Sequence, residues 1–165
     1  EVHLLGLQEP EFEYVDKKTF LESTEKCVQY LNYTTDRLSR VPTSIIIAMA
    51  GVESGWGTSR FAKEGNALFG VRTWDLKNVE HMKAKGNMDA PWGVKKYLTK
   101  CKSVKDMIAI LNRHPAYQEF RIEREKQIDI GKWDYRALMV RMSAWSTNPK
   151  YAEIILQAIV DNKLP

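Results

Sequence analysis

The chain has 165 residues, 44% hydrophobic and 28% charged, with 25 basic and 21 acidic side chains and a net charge of +4. That length fits one domain, residues 1–165, large enough to bury a proper core. The basic residues are dispersed, which argues against a nucleic-acid binder, and no apolar run approaches the roughly 18 residues that a membrane span requires.

Residues 1–16 are acidic and irregular, with Pro10 among them, and read as a packed N-terminal arm. Residues 17–39 place apolar or small side chains at Phe20, Thr24, Cys27, Val28, Leu31 and Leu38, which is a helical period. Residues 42–53 predict a second helix. Pro42 suits its first turn, and nearly every later position is apolar or small, so this helix is expected to be buried on all sides. Residues 58–64 read as a short helix. From Gly65 to about Tyr97 the chain holds Gly, Asn, Pro and β-prone pieces such as Phe69-Gly70-Val71-Arg72-Thr73-Trp74, which predict a hairpin lobe over about 65–97.

Helices then return. Ser103-Val104-Lys105-Asp106 reads as a capping box opening a helix to about Asn112. Tyr117 to Gln127 is a charged amphipathic helix. Asp134 caps a helix through Ser143. Asn148-Pro149 starts the last one, with Ile154, Ile155, Ala158 and Ile159 turned inward. A helix-rich chain with one small sheet is α+β.

The chemistry concentrates after the second helix. Its one acid, Glu53, stands at its end, just before Gly55, a natural helix stop. The helix C-terminus carries partial negative charge, and apolar neighbours such as Trp56 add a desolvation penalty. Both raise a carboxyl pKa. A glutamate that keeps its proton near neutral pH can donate it to a leaving oxygen, as glycosidases require. The competing reading is a structural acid bonded to backbone N–H groups.

Glu53-Ser54-Gly55-Trp56-Gly57-Thr58-Ser59-Arg60-Phe61-Ala62, followed by Gly65-Asn66-Ala67-Leu68-Phe69-Gly70, closely resembles the signature of bacterial glucosaminidases. These are peptidoglycan hydrolases of glycoside hydrolase family 73, related to flagellar muramidase domains and Bax-like proteins. Ala67 departs from the pattern, which usually has a second Asn there. Leu111-Asn112-Arg113-His114-Pro115-Ala116-Tyr117 resembles a helix of Bax-like members. Trp145-Ser146-Thr147-Asn148-Pro149-Lys150-Tyr151-Ala152 resembles the family's Y-A-T-D-P-x-Y-A segment, with Trp145 in place of its first Tyr.

The resemblance covers about residues 40 to 162 and implies a lysozyme-like fold, with a helical lobe, a small β lobe and a cleft between them. It implies a peptidoglycan hydrolase that cleaves after N-acetylglucosamine, with Glu53 as general acid and Tyr151 as an active-site hydroxyl. It implies that Gly55, Trp56, Asn66, Leu68, Phe69 and Gly70 shape the cleft. In this family a second carboxylate comes from the β lobe, where the acids are Asp75, Glu80 and Asp89. Glu80, in Val79-Glu80-His81-Met82, best fits a strand position. A substrate N-acetyl group can replace such a carboxylate as the nucleophile. Trp56, Trp74, Trp92, Tyr97, Trp145 and Tyr151 fall in or beside the cleft-forming segments, and flat rings suit the apolar faces of sugars. The competing reading is that most of them are core.

Two other readings stay open. A lytic transglycosylase also places a lone Glu before Ser in a lysozyme-like fold, and a wall-binding module could keep the fold without activity. Peptidoglycan strands are the expected partner of a monomer, and no cofactor is expected. His3, His81 and His114 are scattered, so no metal site is expected. Cys27 lies on an apolar helix face and reads as a buried thiol, with a disulfide to Cys101 left open. No signal-peptide pattern is present and the chain begins at Glu1, so any export signal is expected to lie outside it. The expected location is the cell envelope, periplasmic or extracellular, or a virion.

Overall fold

The computed structural model describes residues 8–165; His3 and the start of the arm lie outside that range. The helices are α1 (Lys17–Asn32), α2 (Thr43–Ser54), α3 (Arg60–Gly65), α4 (Lys100–Arg113), α5 (Gln118–Ile130), α6 (Tyr135–Met139) and α7 (Tyr151–Asp161). Short strands β1 (Arg72–Thr73), β2 (His81–Met82) and β3 (Gly93–Lys95) form an antiparallel sheet in the order β1-β3-β2, with Arg72 opposite Val94 and Met82 opposite Val94 on the other side. The α+β expectation holds, although the strands are shorter than Phe69–Trp74 suggests. Phe69 is only 3% exposed and belongs to the helical core instead.

Helix α2 is the centre of the molecule. Residues Ser44 through Gly51 are all buried, which explains why the sequence can be apolar all round. Helices α1 and α7 pack against it. Gly51 is needed for a close approach, because a Cβ there would stand 2.1 Å from the Trp56 ring. The described part of the arm packs against the helical core. Phe12 and Tyr14 make edge-on contacts with Phe20, and the Tyr14 hydroxyl donates to the Gly57 carbonyl at 2.6 Å.

Several boundaries differ from the sequence reading for identifiable reasons. Helix α1 stops at Asn32 rather than near 39. Thr34 and Thr35 both bond back to the Leu31 carbonyl, and the Arg40 guanidinium donates to the carbonyls of Asn32 and Thr35. Leu38 is consequently exposed. Helix α4 is capped by Thr99, whose hydroxyl accepts from the Lys102 N–H, so Ser103 lies inside the helix and is buried. The segment after Asp134 is α only through Met139 and tightens to a 3₁₀ turn over Val140–Trp145, with non-helical backbone at Met142. On α7, Ile155 and Ile159 point inward but Ile154 is exposed. The thiol reading of Cys27 is also corrected. Cys27 on α1 and Cys101 on α4 form a buried disulfide across 74 residues of sequence, with their Cα atoms 5.6 Å apart.

Candidate active site

The turn after α2 is built by the residues of the motif itself. Gly55 takes the left-handed conformation (φ 60°) that closes a helix at least cost. Trp56 follows at φ 57°, an uncommon choice for a non-glycine residue. Its N–H donates to the Gly51 carbonyl at 2.7 Å. Ser54 is buried, and its hydroxyl donates to the Ala50 carbonyl at 2.6 Å and accepts the Gly57 N–H at 2.9 Å. Ser59 then caps α3 through the Ala62 N–H. Glu53 therefore projects from the last turn of α2 just before a rigid reversal, with its side chain exposed.

Tyr151 opens α7, where Asn148 takes the first N–H groups: its side chain accepts from Lys150 and its carbonyl from Tyr151. Because α7 packs on α2, the Tyr151 phenol meets Glu53. The residue is 6% exposed, and its hydroxyl is a buried polar atom without a hydrogen bond of standard geometry. Desolvation raises the Glu53 pKa, and a loose contact with Tyr151 partly offsets it. The surrounding protein crowds the carboxyl although solvent still reaches it. Burial, followed by the Glu53 charge, pushes the Tyr151 phenol far above the usual range. At neutral pH that phenol can only be a neutral donor or acceptor.

An aromatic cluster backs this pair. Phe69 packs edge-on against Trp145 at 6.4 Å between ring centroids, and Trp145 lies 6.0 Å from Tyr117. Tyr117 is buried, and its phenol also bears on Tyr151. Tyr117 was not singled out from sequence. The signal available was its place at the end of the Leu111–Tyr117 segment.

The other sequence candidates are spread over the fold. Trp56 folds back over Gly51, packs edge-on against Phe20 and carries the Lys17 ammonium 4.1 Å above its ring. Asn66 caps α3 at φ 55°. Its amide donates to the carbonyls of Tyr97 and Leu98 at 3.1 Å each and its oxygen accepts from Lys100, so its polar atoms are spent on joining the lobes. Tyr97 gives its hydroxyl to Asp106 at 2.6 Å, and Lys95 pairs with the same carboxylate at 2.8 Å. Those contacts hold Tyr97 to α4 rather than offering its hydroxyl to a sugar. Trp92 lies under the Arg72 guanidinium at 3.6 Å. Trp74 stands 64% exposed just after β1. Glu80 is exposed, immediately before β2, and its carbonyl accepts from Lys96. Asp75 is turned into its own loop, accepting from Asn78. Asp89 is exposed. Among the described residues no three His, Cys, Asp or Glu side chains cluster as a metal site needs, and no helix is long and apolar enough to cross a membrane.

Comparison with known proteins follows the same outline. Residues 30–164 match the sequence model of the glucosaminidase family, described as mannosyl-glycoprotein endo-β-N-acetylglucosaminidase. Protein bax of Escherichia coli K12 is 33% identical over 141 residues, which is 80% of this chain and 47% of that protein. The exo-glucosaminidase LytG of Bacillus subtilis 168 is 31% identical over 126 residues, 72% of this chain and 43% of that one. The chain thus spans under half the length of either relative. Among solved structures, the catalytic domain of the autolysin Auto from Listeria monocytogenes superposes with a TM-score of 0.66 at 20% identity, covering 95% of this chain and 88% of that chain. A chain of a type VI secretion effector–immunity complex from Pseudomonas protegens does so at 0.52 and 20% identity, covering 86% and 90%. The likeness to the autolysin domain bears out the lysozyme-like α+β fold.

Proposed function

The chain belongs to the glucosaminidase family of glycoside hydrolases, and we propose that it hydrolyses the glycan strand of peptidoglycan within the chain, after N-acetylglucosamine, with Glu53 as general acid. One observation carries this reading. Glu53 has its pKa raised by desolvation, and it faces the buried, unbonded hydroxyl of Tyr151. A protonated carboxyl can protonate the glycosidic oxygen as the bond to the anomeric carbon breaks. The Tyr151 hydroxyl contacts Glu53 without a hydrogen bond of standard geometry, so it can turn to the reacting sugar or strengthen its contact with the Glu53 carboxylate left after proton transfer. Exposed Trp74 on the β lobe is assigned to stacking against the strand, and Tyr117, packed against Trp145, bears on the phenol. The work is placed in the cell envelope or outside the cell, where the Cys27–Cys101 disulfide would persist.

Tyr151→Phe separates an active-site hydroxyl from a core ring. Removing an unbonded buried hydroxyl should leave the melting temperature unchanged or slightly higher. Turnover should fall about 10- to 100-fold. The same change removes the contact that lowers the Glu53 pKa, so the alkaline limb of the activity profile should move to higher pH. Unchanged turnover with an unshifted limb would reduce Tyr151 to packing.

Glu80 is the proposed second carboxylate, exposed on the β lobe immediately before β2. Glu80→Gln should lower turnover of purified peptidoglycan about 100-fold while leaving the fold intact. Normal turnover would remove Glu80 and leave the substrate acetamido group as the nucleophile.

A further inference from the structure

A pocket remote from the acid takes no part in the hydrolysis above. It has a volume of about 270 Å³ and is lined by Arg37, Arg40, Gln127, Ile128, Gly131, Lys132 and Trp133. Two lengths place it. Arg37 and Arg40 lie on the segment that enters α2, whereas Glu53 lies about 15 Å further along that helix at 1.5 Å per residue. Gly131 to Trp133 follow the end of α5, about 18 Å along the helix from the end beside Tyr117. The pocket is therefore remote from Glu53 and Tyr151.

Its lining holds three cations and no acid; Asp36 and Asp129, their neighbours in sequence, do not line it. None of the three cations forms an ion pair among the described residues. Arg40 is held rigid by its bonds to the Asn32 and Thr35 carbonyls. Behind it lies Arg124, only 4% exposed, which donates to the Arg40 carbonyl at 3.4 Å and has an unbonded Nε. Burial lowers its pKa to about 10, which leaves it cationic at neutral pH. The charge of Glu125 offsets only part of that burial and Arg121 adds to it, so an anion seated nearby would offset more of the cost. Trp133 is 37% exposed and supplies a flat apolar wall.

Resting on the peptidoglycan reading, we infer that this pocket is an accessory site for the wall polymer, binding a stem-peptide carboxylate through Arg37 and Lys132 while Trp133 covers the adjoining sugar. It holds the enzyme on the strand at a distance from the bond being cut. The cationic lining selects carboxylate-bearing stems over amidated ones, and the attraction weakens with salt.

The test is co-sedimentation of the full chain, carrying Glu53→Gln to prevent digestion, with purified sacculi. Removing both charges (Arg37→Ala with Lys132→Ala) should lower affinity about fivefold, and Trp133→Ala should lower it as well. The reciprocal pair Arg37→Lys with Lys132→Arg should restore it. Sacculi with amidated carboxylates should bind the parent chain as weakly as the double variant binds untreated ones, with no further loss when the two changes are combined. Parent-like binding by the double variant, or undiminished binding to amidated sacculi, would overturn the site. Binding that requires phosphodiester polymers left on the sacculi would overturn the carboxylate assignment. Because binding is read without turnover, pocket-dependent binding by the Glu53→Gln chain together with no release of sugar ends by the wild type would defeat the hydrolase reading and leave the pocket standing.

Discussion

Glu53→Gln will lower turnover about 10²- to 10⁴-fold and leave the fold intact, because it removes the transferable proton while keeping the side chain's size and polarity. The effect on stability has a definite sign. Desolvation raises the folded-state pKa of Glu53 above its unfolded value, so the folded chain holds this proton more tightly. Stability from this group is fully present below the ordinary carboxyl range and is lost as pH rises through the higher, folded value. Glutamine never ionises and avoids that loss. The variant should therefore melt at or above the wild type at neutral pH, with the difference vanishing in acid. Activity should follow the same group, falling as pH rises through the folded pKa of Glu53. A variant that is inactive because it melts far below the wild type would point to a structural acid, and a fully active one would remove Glu53 from the chemistry.

Breaking the Cys27–Cys101 link should produce the largest loss of stability available to a small change. The bridge closes a loop of 74 residues that contains the whole of α2, the motif turn and the β lobe. Chain-entropy reasoning gives about 4 kcal/mol for a loop of that size, a large part of the total for a domain of this length. The double change Cys27→Ser with Cys101→Ser, or a reductant that reaches the bond, should lower the melting temperature by about 10 °C. Both half-cystines are buried between α1 and α4, so the paired serines also place two hydroxyls in an apolar setting. The paired alanine variant separates these effects, since it lacks the hydroxyls and loses only the cross-link and a little packing. An alanine pair that melts with the wild type would show that the helical core alone holds α1 to α4.

Much of this was legible in the chain. Helix α2 was readable because burial on all sides leaves an unbroken apolar run, and its end because Gly55 must adopt positive φ. The arm was read from its irregular, acidic composition, and in the described part its aromatics Phe12 and Tyr14 pack against the core. What escaped were features set by partners distant in sequence. The disulfide depends on α1 and α4 meeting 74 residues apart. The start of α4 went to Thr99 because both threonine and serine can cap, and only the backbone decides which of them does. The site divides in the same way. Glu53 and Tyr151 were found in motif segments, and the fold brings them together. Asn66 and Tyr97 looked suited to sugars because their side chains are polar or amphipathic, yet their hydrogen bonds go to the loop at 97–98 and to Asp106. Tyr117 was passed over because nothing local marks a tyrosine as bearing on another one on a later helix.

The central claim is that Glu53 drives hydrolysis of the glycan strand after N-acetylglucosamine. Its most direct test is digestion of purified peptidoglycan by the wild type and by Glu53→Gln, followed by borohydride reduction and mass spectrometry of the new sugar ends. The account predicts reduced N-acetylglucosamine ends, inside strands rather than at one terminus, that are absent with the variant. Anhydro-muramic ends would contradict it in favour of a transglycosylase, and the same N-acetylglucosamine ends from both proteins would contradict the role of Glu53.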